Sequence, residues 1–253
     1  MATESQKKRK ELREKRLAAE KKAQGDDRKQ NMVKAVAAIA FLAIVVVVVV
    51  IVVASSGGGG DQATKSDSEI TKSLAGIPQN GLVLGEPGAK ASLVEFGDLQ
   101  CPACQAFAEN DLPDLVDEEI RTGRATIEFR NWPILGPDSI TAAKAALAAS
   151  LQGRYWEFIE YFYSNQGVEG TGYVTEEFLT DIAEQAGVED IDKWNEDRKL
   201  PKWEKQLLAT DEKAIELLFT GTPSFALEKP DGSLEPIQGG SLDDLKKAIK
   251  QAQ

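Results

Sequence analysis

DLQCPACQAF, residues Asp98 to Phe107, contains Cys101 and Cys104, the only cysteines of a 253-residue chain. ASLVEFGD (Ala91–Asp98) leads into it, an apolar run interrupted by Glu95. Such a run fits a central strand covered on both faces. Downstream of Cys101, the spacing of Cys104, Phe107, Ala108, Leu115 and Ile120 predicts a helix, with Pro113 expected to kink it. ATIEFRNW (Ala125–Trp132) alternates like a strand and stops at Pro133. Strand, helix, strand in this span predicts a parallel βαβ unit. GLVLGEPGA before it reads as a short edge strand.

From Pro137 to about Phe219 the sequence is helical in pattern. It includes an Ala-rich segment, an aromatic segment RYWEFIEYFYSNQ, and a segment capped by Thr175 and ended by Gly187. TPSFALE and LEPIQGG read as strands joined by a turn at Pro230-Asp231-Gly232. Ser241 caps a last helix, LDDLKKAIKQ. The expected order is β-βαβ, a helical block, then ββα. Trp132, Tyr155, Trp156, Phe158 and Tyr161 read as core packing.

Composition removes several chemistries. The chain has no histidine, which excludes imidazole general-base catalysis and His-ligated metals. No methionine follows Met32, which argues against a thioether copper site. Residues 1–54 hold 12 Lys/Arg against 6 Asp/Glu, whereas the rest holds 18 against 35, a net charge of −17. That acidity disfavours nucleic-acid binding.

Ala35 to Ala54 is an unbroken apolar run of twenty residues. As a helix it would span roughly 30 Å, the thickness of a bilayer core. A signal peptide cleaved after Ala54 is the alternative, but signal cores are usually shorter, about 7–15 residues. The basic stretch Lys7–Lys22 places the N-terminus in the cytoplasm. The expected organisation is a cytoplasmic tail (1–32), a single-pass transmembrane anchor (33–54), a Gly/Ser-rich tether (55–80) and an extracytoplasmic domain (81–253) with a helical insertion at about 137–219.

Two cysteines three residues apart admit three readings. As a structural disulfide the pair closes too short a loop to stabilise much. On a helix its Cβ atoms stand about 5–6 Å apart, against ~3.8 Å in a relaxed bridge, so the bridge is easily reduced. As a metal site it supplies half a tetrahedron, with no His or further Cys to complete it. As a redox pair the spacing has a mechanism. Cys101 falls at a helix start, where unpaired amides and the positive dipole end favour a thiolate. Pro102 fits the first helical position, and Cys104 lies one turn in, placed to attack a sulfur bonded to Cys101. In an exported domain this is the strong reading.

With LVEF before CPAC, then EFRNWPIL, AAKAALAASLQGRYWEFIEYFYSNQ, GTPSF and GGSLDDLKKAI, the chain resembles the DsbA family of thioredoxin-fold thiol–disulfide oxidoreductases. Within it, the chain looks like the membrane-anchored BdbD-type members of Gram-positive bacteria. The resemblance implies an α/β thioredoxin-like fold with a helical insertion. It makes Cys101 the nucleophile, Cys104 the resolving cysteine, Thr222-Pro223 a cis-proline loop facing them and binding substrate backbone, and Glu95 a buried acid that helps move the Cys104 proton. It implies no cofactor beyond the redox-active Cys101–Cys104 disulfide. The partners it implies are reduced secreted proteins and a quinone-linked membrane reoxidase of DsbB or VKOR type. Ala103 departs from the histidine of strongly oxidising members. Its loss is expected to raise the Cys101 pKa above the family's lowest values while leaving it below ~8.5. A reductase or isomerase using the same pair, and a non-catalytic binding or sensor module, are the rival expectations.

Overall fold

The computed structural model describes residues 72–252. The tail and anchor expected at 1–54, and most of the tether, lie outside them. Among the described residues no helix is long and apolar enough to cross a membrane.

Six strands form one sheet in the order β1-β2-β4-β3-β5-β6. β1 is Gln79–Asn80, β2 Val83–Leu84, β3 Ala91–Gly97, β4 Ala125–Asn131, β5 Ser224–Glu228 and β6 Leu234–Pro236. Only β3 and β4 are parallel, with Glu95 opposite Phe129, and the remaining pairings are antiparallel. The crossover between β3 and β4 carries α1 (Pro102–Asn110), α2 (Leu112–Leu115) and a π-helical turn, Val116–Ile120. The helix does not merely kink at Pro113. It breaks at Asp111 and restarts with the proline in its first turn, where no amide is needed.

The edge expected at Gly81–Ala89 is a small hairpin, β1 and β2, so the compact part reaches back before Gly81. Leu74 and Ile77 are buried in the core, and the Arg121 guanidinium donates to the carbonyls of Ser73 and Ala75.

The helical block comprises α3 (Pro137–Ser150), α4 (Tyr155–Ser164), α5 (Glu176–Gln185), α6 (Ile191–Asp197) and α7 (Lys202–Glu216); α8 (Leu242–Ala252) ends the domain. α3 buries six alanines between Ala142 and Ala149, whose small side chains let its neighbours approach closely. In α4 every residue except Glu157 is buried. A helix apolar on nearly all sides belongs inside a fold. All four tryptophans are buried, and each indole N–H donates to an oxygen: Trp132 to Asp211, Trp156 to Leu82, Trp194 to Ala145 and Trp203 to Asp197.

The sheet separates two cores. On one face Leu93, Ile127, Phe129 and Phe225 pack with α1, α4 and α8. On the other, Val94, Phe96 and Trp132 pack with Ala214 of α7 and with Leu217 and Phe219 beyond it. Alternate residues of β3 feed both cores, which is why its sequence reads as nearly continuous apolar.

Candidate active site

β3 delivers the chain into the loop 98–101, and hydrogen bonds fix that loop from three sides. Asp98 is 1% exposed, and its carboxylate accepts the amides of Gln100 at 2.9 Å, Ile134 at 2.8 Å and Leu135 at 2.9 Å. Its carbonyl accepts the Cys101 amide and the Tyr163 hydroxyl. Gln166 donates to the carbonyls of Leu99 and Cys101, and Gln100 donates to Ser139. The helical block therefore holds the loop that carries the first cysteine.

Cys101 is the N-cap of α1 and Pro102 its first residue. Both sulfurs are free thiols. Cys101 retains 7% exposure and Cys104 none, so attack from solvent has one target. The Thr222-Pro223 peptide bond is cis, and Cys101 Sγ lies 3.3 Å from the Thr222 carbonyl oxygen. The structure thus brings Cys101, Cys104, Thr222 and Pro223 together. Ala103 stands exposed on the first turn and contributes its backbone amide.

The two thiols are made unlike. The Cys101 pKa is lowered from 9.0 to about 6, mainly by a hydrogen bond from Cys104. Burial opposes this; the Thr222 side chain and the amides of Cys104 and Ala103 assist it. Those two amides are the contribution of the helix start, and it is smaller than that of the neighbouring thiol. The expectation of a value below a free thiol is met, but its main source is Cys104 rather than the helix mouth. Burial pushes Cys104 well up, helped by its bond to Cys101 and by the negative charges of Glu95 and Cys101.

Glu95 is 2% exposed, between Phe129 and Phe225 on the sheet face beneath α1 and α4. Burial, then Glu160 and Cys101, raise its pKa well above the usual carboxylate range. Its Oε1 has no hydrogen-bond partner. Gly97 makes the space: a Cβ there would stand 2.4 Å from the Phe129 ring and 3.2 Å from Glu95 Oε1. Sequence reasoning missed Asp98, Gln166 and Glu160. Glu160 did leave a signal, a carboxyl within the aromatic run YWEFIEYFYS of a buried helix.

Two thiols of opposite tendency, at a helix start against a cis-proline loop, define a dithiol–disulfide exchange site. A family model described as thioredoxin matches residues 78–250. A probable disulfide bond formation protein D of Bacillus anthracis is 31% identical over 169 residues, spanning 66% of this chain and 75% of that protein. The crystal structure of a thioredoxin-like oxidoreductase from Silicibacter pomeroyi DSS-3 superposes with a TM-score of 0.56 at 31% identity, covering 72% of this chain and 96% of that one. Oxidised BdbD from Bacillus subtilis shares the fold, with a TM-score of 0.59 at 22% identity over 72% and 94% of the two chains. The chain belongs to the DsbA-like thiol–disulfide oxidoreductases of the thioredoxin family.

Proposed function

We propose that the protein donates its Cys101–Cys104 disulfide to reduced secreted or surface proteins. A substrate thiolate attacks Cys101 Sγ, the only sulfur of the pair with access to solvent. The Cys101–Cys104 bond breaks, Cys104 leaves with the electron pair and takes up a proton, and a mixed disulfide forms. The substrate's second thiolate then attacks its own mixed-disulfide sulfur, and Cys101 departs as a thiolate. The substrate gains a disulfide and the protein gains two electrons.

The observation that carries this reading is the depressed Cys101 pKa of about 6. A stabilised leaving thiolate makes the disulfide easier to reduce, hence an oxidant. A second reading rests on Ala103, which stands where strongly oxidising members carry a histidine. That favours a milder couple, compatible with reduction or isomerisation. Redox equilibration with glutathione separates the two. The oxidase reading expects a potential well above thioredoxin's, which is about −270 mV. A value at or below that figure assigns the reductase.

The apolar run at 35–54 and the basic residues before it support a membrane-tethered protein with an extracytoplasmic catalytic domain. A quinone-linked reoxidase of DsbB or VKOR type in the same membrane would restore the disulfide. Tethering would raise the effective concentration of the two partners.

A further inference from the structure

The proposed reaction leaves one difficulty. Cys104 must leave as a thiolate, yet burial disfavours its charge. A proton must reach it inside the protein. Glu95 borders it, but one buried carboxyl between two phenylalanines has to hold a proton at the pH of the reaction in order to give one.

Glu160 supplies the missing condition. It is 4% exposed and lies on α4, four residues after Trp156 and three before Tyr163. Residues at these spacings share one helix face. Trp156 and Tyr163 both pack on Phe129 at centroid distances of 6.4 Å, and Phe129 is the direct β4 neighbour of Glu95. The face of α4 that bears Glu160 is therefore the face laid over Glu95. Among the described residues, the ionisable groups around Glu95 are Glu160, Tyr155 and Tyr163 from α4 and the two thiols at the start of α1. β4 and β5 present Phe129 and Phe225. Asp98, just beyond β3, is engaged by three backbone amides. Two carboxyls in one desolvated space resist ionising together, so such a pair holds its last proton to higher pH than a lone carboxyl and titrates as a unit.

We propose that Glu160 pairs with Glu95 in a buried carboxyl couple holding a single proton, and so keeps Glu95 charged with the proton that Cys104 takes up as it leaves. Glu160 is a positioning residue: it acts through Glu95. The inference rests on the exchange step proposed above. In that step the bond between substrate sulfur and Cys101 forms, the Cys101–Cys104 bond breaks, the proton passes from the couple to Cys104 Sγ, and a proton from solvent then restores the couple.

The test is the rate at which glutathione attacks the oxidised full-length protein, expressed per glutathione thiolate and followed against pH. In the wild type this rate falls as the couple loses its proton. Glu160→Gln is expected to move that midpoint about one pH unit or more towards acid, because the repelling charge is gone. Glu95→Gln is expected to give a slow, flat profile, and the double variant to match it. An unmoved midpoint in Glu160→Gln, or a double variant whose loss combines both single losses, overturns the proposal. Should Glu160→Gln not fold, carboxyl-carbon NMR of the wild type decides. Two glutamate resonances that each show both titration steps support the couple, and two independent single steps overturn it. A wild type that fails to oxidise reduced polypeptides, yet shows the Glu160-dependent midpoint with glutathione, removes the proposed function and leaves the couple standing.

Discussion

Cys101 Sγ stands 3.3 Å from the carbonyl oxygen of Thr222, a residue 121 positions away in the chain. The protonated thiol can donate to that oxygen, while the Thr222 side chain holds the anion. One residue thus touches the sulfur in both charge states. The anion is favoured on balance because Cys104 and two backbone amides act in the same direction.

That balance sets the relative stability of the two redox forms. The Cys101 pKa in the folded, reduced protein is depressed to about 6, so the thiolate contributes stability above the ordinary thiol range. This contribution is lost as pH falls through about 6. The disulfide form has no such group. The gain in stability on reduction is therefore expected to grow as pH rises from about 6 towards the usual thiol range. Denaturant unfolding of both forms between mildly acidic and mildly alkaline pH checks this. A gap that is independent of pH contradicts it.

Glu95 has the opposite sign. Its folded pKa is raised, so the folded state keeps a proton that the unfolded chain releases. Stability is full below the ordinary carboxylate pKa and declines as pH rises towards the folded value. Glu95→Gln is expected to be more stable than the wild type at neutral pH, because the variant carries no proton linkage. That advantage should vanish in acid. Paired denaturation curves at acidic and neutral pH measure it, and the stabilised variant is expected to exchange disulfides more slowly.

Asp98 joins the loop before Cys101 to the segment after β4 through three amides. Asp98→Ala leaves those donors buried without an acceptor. A loss of about 3 kcal/mol or more is expected in chemical denaturation. Asp98→Asn keeps some of the acceptors and should lose less.

Gly97 is required by the Phe129 ring, which would lie 2.4 Å from an added Cβ. Gly97→Ala is expected to cost about 1–3 kcal/mol by overpacking. Phe129→Leu in the same chain should recover part of that loss. Additive losses in the double-mutant cycle would show that the two positions do not compete for space.

Much of this was legible in the sequence because periodicity and residue chemistry are local. β3 reads as a two-sided strand, Pro102 as a first helical residue, and Cys101 as lying at the helix start. Thr222 and Pro223 came from the family resemblance, since no local pattern brings them beside a cysteine 121 positions away. Glu160 and Gln166 were missed for a related reason. Their roles depend on how α4 lies over β3 and the loop 98–101, and that is set by the packing of Phe129 with Tyr155, Trp156 and Tyr163. The break at Asp111 was understated because a proline signals an interruption but not its size. The ranking of effects on Cys101 also needs coordinates. A helix start is visible in sequence, whereas a neighbouring thiol aimed at the sulfur is not.

Ultraviolet thiolate titration of the reduced protein tests the central claim most directly. One thiol should ionise near pH 6, disappear in Cys101→Ser, and leave Cys104 protonated well above the usual thiol range. Cys104→Ala should raise that midpoint more than Thr222→Val does, following the order of their effects on the sulfur. Two thiols titrating together in the range of free cysteine would contradict the account.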